Sequence, residues 1–302
     1  MKVLCKGVEA DIPSGCVWLV PGVSVGNAGQ QCIDLLLQTL QASTTGESQV
    51  NEVGVVVSQH VRSIASSNVF QEDSGKVHTE MSLFHIVAAN VVVLQQRSRC
   101  HEGFEEAWAA ELADFAKAAS CSGLVVLAGS QAFMDGDAAI SQAKGPEVRP
   151  LLFDCNSAPT GEAASASGSH TLLEAGRHVF GDAFASISTP SAEGSSDNTF
   201  KAIETVVAAA FTHLQGCGLA ARFARRGVAA GLPVLAVPIT LNEGLNAPEA
   251  LILAHVVQGL LGLFRGADGA PVPPAQISWV EPPSWKIPEG PSPPPMFFLG
   301  TK

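Results

Sequence analysis

A serine set between glycines, Gly22-Val23-Ser24-Val25-Gly26, is the first arrangement in this chain whose residue types could do chemistry. In G-x-S-x-G a tight strand-to-helix turn exposes the serine, and a later acid and histidine make it a nucleophile. Asp154, Asp182, His178, His213 and His255 supply those types further along. Three features oppose catalysis. The serine stands too near the N-terminus for the strands that precede such an elbow, and an HGGG-like stretch is missing. The helical pattern starts only after Gly29, which misplaces the amide behind the serine. A structural turn is the expectation, and an α/β serine hydrolase using Ser24 is the alternative.

The same loop could cradle a phosphate at a helix N-terminus. Its glycines lack the G-x-G-x-x-G spacing, and no G-K-[ST] follows. A nucleoside- or phosphate-binding protein is therefore a further alternative. The eight histidines contain no H-E-x-x-H and no i, i+4 pair, so no metal is expected. Arg222, Arg225 and Arg226 share one side of a helix and read as a solvated face, with partner contact the sharper alternative. Asn246, Pro248 and Glu249 have the types of a helix start: cap, first-turn proline and dipole-matched acid.

These residues need elements to hold them. Cys16 to Val20 is an apolar run of strand length, and Pro21 ends it. Gly22, Gly26 and Gly29 punctuate a loop in which Asn27 suits a left-handed backbone. Ile33, Leu36, Leu37 and Leu40 then fall on one helical face. Strands are expected at Val53 to Val57, Leu124 to Ala128, Val148 to Phe153 and Pro233 to Val237. Met81 to Val87 and Val91 to Gln96 form a hairpin around Ala89-Asn90. Helices are expected at Glu102 to Ser120, Phe200 to Leu214, Leu219 to Ala229 and Pro248 to Leu263. The alternation predicts an α/β fold with a mostly parallel central sheet covered by helices on both faces. Residues 1–265 make one domain. Within it, 156–198 is rich in Ser, Ala and Gly and reads as a mobile insertion with an ordered patch at Val179 to Ile187. Residues 266–302 form a tail of prolines and aromatics, extended and ready to anchor on a partner.

Composition narrows the function. Hydrophobic residues reach 46% and charged ones 15%, as for a packed chain, and a net charge of −11 has the wrong sign for nucleic acid or an anionic membrane. Seven cysteines include no C-x-x-C, and the first residues carry no apolar signal-peptide core, which points to a reducing compartment.

The loop VPGVSVGNAGQ, the strand VVVLQQRSRC and the segment NEGLNAPEALILAHVV together resemble the proteasome assembly chaperone 2 family. The ending PPSWKIPEGPSPPPMFF is similar to the tail of its eukaryotic members. The resemblance implies a non-enzymatic, three-layer fold related in outline to nucleoside phosphorylases, with no cofactor. It also implies a heterodimer with proteasome assembly chaperone 1, working in cytoplasm and nucleus on the α-subunit ring of the 20S proteasome. Gly22, Gly26, Asn27 and Gly29 would shape the body. Met296, Phe297 and Phe298 would be the docking residues, with Trp285 fixing the segment before them. Leu299 to Lys302 depart from that pattern by moving the carboxylate beyond the motif. Trimming, internal packing of the tail, or docking left to the partner would each accommodate this.

Overall fold

The computed structural model describes residues 1–5, 7–43, 50–67, 77–79, 81–131, 146–155, 168–181, 185–189, 214, 216–241 and 246–285. Twelve strands are found among them: β1 (Lys2–Cys5), β2 (Val8–Glu9), β3 (Val17–Pro21), β4 (Val50–Val57), β5 (Ala65–Ser67), β6 (Val77–Thr79), β7 (Met81–Ile86), β8 (Val91–Gln96), β9 (Gly123–Gln131), β10 (Leu151–Cys155), β11 (Ala185–Thr189) and β12 (Val234–Leu241). The helices are α1 (Ala28–Ala42), α2 (Glu105–Ala118), α3 (Gly168–Phe180), α4 (Leu219–Ala229) and α5 (Ala247–Leu261).

The main sheet has ten strands in the order β11-β10-β12-β9-β3-β8-β7-β4-β1-β2. Its centre, β12-β9-β3-β8, is parallel, as the strand-helix alternation requires. On one side the β7–β8 hairpin and β4, β1 and β2 add antiparallel pairs; on the other, β10 runs antiparallel to β12. The sheet is therefore mixed, with a parallel middle flanked by helices. The hairpin turns at Asn90, which takes a left-handed conformation with φ 53°.

Side-chain alternation sorts the core into two layers. Trp18 and Val20 of β3, Val92 and Leu94 of β8, and Leu124 and Val126 of β9 face α2 and α4, where Trp108 and Phe223 meet edge to face. Leu19, Val91, Val93, Val125 and Leu127 face α1 and α5. Ile33, Leu36, Leu37 and Leu40 are fully buried on the sheet side of α1, as their spacing predicts.

α1 is buried on its outer side too, at Gln30, Asp34, Leu35 and Thr39. At Thr39 the cover comes from residues 264–285, which leave α5 and reach α1, while Asp34 is met by the end of β8. Gln258 of α5 organises this strap. Its Nε2 donates to the carbonyls of Phe264 (3.0 Å) and Val272 (2.7 Å), and its Oε1 accepts from the Phe264 amide (2.9 Å). Trp279 Nε1 donates to His255 Nε2 at 2.8 Å, and the Val280 amide donates to Thr39 Oγ1 at 3.1 Å. Ile277, Trp279 and Trp285 pack on the same apolar layer. The first part of the expected tail is thus body rather than extension.

Two further findings adjust the sequence reading. Within 156–198, residues 168–180 form a helix with Leu172 buried, and 185–189 form the edge strand β11. Only the end of that helix and the start of the strand fell in the expected patch. β1 and β2, short and half exposed, gave no periodic signal and were missed. The expected helix Phe200 to Leu214 lies outside the described residues except for Leu214. Of the described cysteines, Cys16, Cys32, Cys100, Cys121 and Cys217 are buried and Cys5 is exposed. Burial pushes the Cys100 thiol up to about 11 and that of Cys121 to about 12, which keeps both protonated and inert. Among the described residues, no helix is long and apolar enough to cross a membrane.

Candidate functional site

The parallel centre brings the C-terminal ends of β3, β8, β9 and β12 to one rim. In open α/β sheets that rim is where ligands bind. Here the chain's own loop fills much of it. After β3 the backbone passes through Gly22–Ser24, makes a short 3-10 turn at Val25–Asn27 and enters α1 directly at Ala28. Asn27 takes the left-handed conformation expected of it, with φ 53° and ψ 22°.

Four polar groups of the loop meet neighbouring elements. The Gly22 amide donates to the Leu127 carbonyl at 2.7 Å, and the Leu219 amide at the start of α4 donates to Val23 O at 3.1 Å. Ser24 Oγ accepts from the Gly129 amide at 2.8 Å. Asn246 Nδ2 donates to Gly26 O at 3.2 Å. Asn246 does precede α5, but its side chain makes no cap bond to that helix; it reaches across to the loop instead. The glycines permit this closure. A Cβ on Gly22 would lie 2.7 Å from Ala220 Cα, and one on Gly29 3.0 Å from the Leu127 carbonyl oxygen. Gly26 has φ +65°, and its Cβ would overlap the Asn246 amide and lie 2.8 Å from Leu241 Cδ1.

This geometry bears on both chemical alternatives. For a phosphate cradle, the amides of Gly22, Gly129 and Leu219 are already used on protein acceptors, which leaves the first-turn amides of α1 to serve one. For a hydrolase, Ser24 needs a base. Phe153 pairs with Val234 at the start of β12, so Asp154 stands at the opposite rim from Ser24. His255 lies nine residues along α5 from Asn246, about 13 Å, and is engaged by Trp279. His178 is exposed near the end of α3. Asp182 and His213 fall outside the described residues.

Beside the loop, the end of β8 ties the sheet to both helical layers. Alternation puts Gln95 and Arg97 on the α1 side and Gln96 and Ser98 on the α2 side. Gln95 Nε2 and Arg97 Nη2 both donate to Asp34 Oδ1 of α1, at 2.8 and 2.7 Å. Gln96 Oε1 accepts from Trp108 Nε1 at 3.2 Å, and Gln96 Nε2 donates to Ser98 O at 3.1 Å. Burial raises the Asp34 pKa, opposed by the Arg97 charge and the two hydrogen bonds. Sequence reasoning passed over this network. The signal was there: two glutamines end an otherwise apolar strand and an arginine follows them.

Two of the sequence's interaction candidates are also placed. Arg222, Arg225 and Arg226 project from α4 towards Glu106 in the first turn of α2. Trp285 ends the strap, half buried against the α1–α5 layer. Met296, Phe297 and Phe298 lie outside the described residues.

The body is a mixed sheet flanked by helices, with the glycine loop packed at its rim and a strap held by α5 and reaching α1. The chain belongs to the PAC2 family, whose pattern matches residues 18–264. It is similar to proteins named proteasome assembly chaperone 2. The protein from Bos taurus is 23% identical over 285 residues, covering 94% of this chain and 96% of its own. That from Mus musculus is 22% identical, covering 93% and 94%. Among solved structures, PbaA of Pyrococcus furiosus, described as an archaeal homolog of proteasome-assembly chaperone, superposes with a TM-score of 0.52 at 12% identity, covering 84% of this chain and 80% of that one. That likeness is one of fold.

Proposed function

We propose that this protein is a non-enzymatic chaperone of proteasome assembly that pairs with proteasome assembly chaperone 1 and promotes formation of the 20S α-subunit ring. The observation that carries the reading is the end-to-end similarity to proteasome assembly chaperone 2 proteins within a family match spanning the body. The rim supports it. The Gly22 amide, the Val23 carbonyl and the Ser24 hydroxyl oxygen are engaged by the protein's own backbone, as suits a loop that shapes a surface. The strap fixes Trp285 on the body, and Met296, Phe297 and Phe298 follow as the docking segment for α subunits. The pair works in cytoplasm and nucleus.

Affinity capture of the tagged chain followed by mass spectrometry tests this. Recovery of proteasome assembly chaperone 1 and free α subunits, without mature protease, is expected. A lone monomer that a fluorophosphonate probe labels, with labelling lost in Ser24→Ala, would replace the chaperone with a hydrolase.

A further inference from the structure

The far end of the strap is held by a hydrogen bond whose acceptor can take up a proton. Trp279 Nε1 donates to His255 Nε2 at 2.8 Å, with the rings tilted by 44° and their centroids 5.4 Å apart. An indole nitrogen only donates, so Nε2 carries a lone pair and His255 is neutral in this arrangement. An imidazolium has a proton on each nitrogen, and no rotation of the ring then offers an acceptor. Both side chains are half buried, so solvent protons reach them.

The near end is fixed by a group that does not titrate. The Gln258 amide, one turn further along α5, binds Phe264 and Val272 at any ordinary pH. Beyond Val272, the Trp279 bond stands next to that of the Val280 amide to Thr39 Oγ1, so the two hold one spot. Phe264 meets Trp279 edge to face at 5.4 Å, which couples the two ends by packing alone.

We infer that His255 and Trp279 form a pH-sensitive latch: protonation of His255 releases residues 277–285 from α1 and α5, while Gln258 keeps 264–272 in place. The released stretch extends to about 30 Å and carries whatever follows Trp285 away from the body. The latch is independent of the chaperone reading; only the use of that reach by a docking segment rests on it.

Charges around His255 set the pH of release but do not give the indole its acceptor back. Strands β9 and β12 carry none, and Asp34, the one charged residue of α1, is taken by Gln95 and Arg97. Helix α3 packs on α5 where Val179 meets Gly259, one turn after His255, and brings Glu174, Arg177 and His178, all exposed. The strap adds Arg265, Asp268 and Glu281, and α5 itself adds Glu249.

Hydrogen–deuterium exchange of the full chain, read by mass spectrometry and corrected for the intrinsic pH dependence of exchange, tests the latch. Between about pH 8 and about pH 5.5, protection across 277–285 should fall about tenfold, while that across 264–272 holds. His255→Gln keeps an acceptor at the reach of Nε2 without a titration, and should leave 277–285 protected at both pH values. Trp279→Phe keeps an aromatic ring but has no donor, and should expose the segment equally at both. Protection in the wild type that does not change with pH would overturn the proposal. So would a pH-dependent loss that survives in His255→Gln, since His178 or a carboxylate would then be the group that titrates. Loss across 264–272 together with 277–285 would overturn it too, because the strap would be opening as a whole. None of these outcomes depends on capture of α subunits, which tests the chaperone reading separately.

Discussion

Gly26 combines two demands that no other residue type meets: a left-handed backbone at φ +65° and contact with the Asn246 amide and Leu241. Gly26→Ala should cost about 2–3 kcal/mol, from backbone strain added to overlap in a filled site. Denaturant unfolding measures it, and a cost near zero would mean that the loop closes less tightly than its contacts imply. Asp34 gives a prediction with a sign. Its folded pKa is raised, so the ionised form is disfavoured on folding. The penalty is absent below the unfolded pKa and grows as pH rises through the window up to the folded pKa. Asp34→Asn removes this one titration. From about pH 4 upward, the difference in stability, variant minus wild type, should therefore rise with pH. A flat difference would mean that Arg97 and Gln95 fully compensate the burial.

At the scale of elements, Gln258 holds the strap by three hydrogen bonds with both ends of its amide buried. Gln258→Ala should cost about 2–4 kcal/mol and render 266–285 sensitive to limited proteolysis before the sheet unfolds. Cleavage appearing only together with global unfolding would make the strap part of one cooperative unit. This element also shows where the sequence was legible. The Cys16-to-Leu40 unit and the β7–β8 hairpin could be read because their spacing repeats along the chain at 3.6 or 2 residues. The strap could not, since its partners Thr39, His255 and Gln258 lie on helices distant in sequence, and prolines look alike whether extended in solvent or laid on a surface. Helix α3 was obscured for another reason. Its apolar residues Leu172, Leu173, Ala175, Val179 and Phe180 are set in a stretch rich in Ser, Ala and Gly, whose composition masks their spacing. The partners of the glycine loop, Gly129, Leu219 and Asn246, come from three later elements that no local pattern connects to it.

For the whole molecule, the question is where the body stops and the docking segment starts. Sequence texture put the break near Gly266; the packing of Ile277, Trp279 and Trp285 carries the body at least as far as Trp285. Two truncations separate these boundaries. A chain ending at Trp285 retains each strap contact described, so its stability should match the full chain within about 0.5 kcal/mol. A chain ending at Arg265 exposes the apolar side of α1 and α5 and should lose several kcal/mol and self-associate, because bare apolar faces are adhesive. Binding divides differently. If Met296, Phe297 and Phe298 dock on α subunits, the Trp285 truncation should still capture proteasome assembly chaperone 1 through the folded body but lose most of the α subunits. Retention of both partners would move the α-subunit contact onto the body. Loss of both, with stability unchanged, would make residues beyond Trp285 part of the heterodimer interface itself.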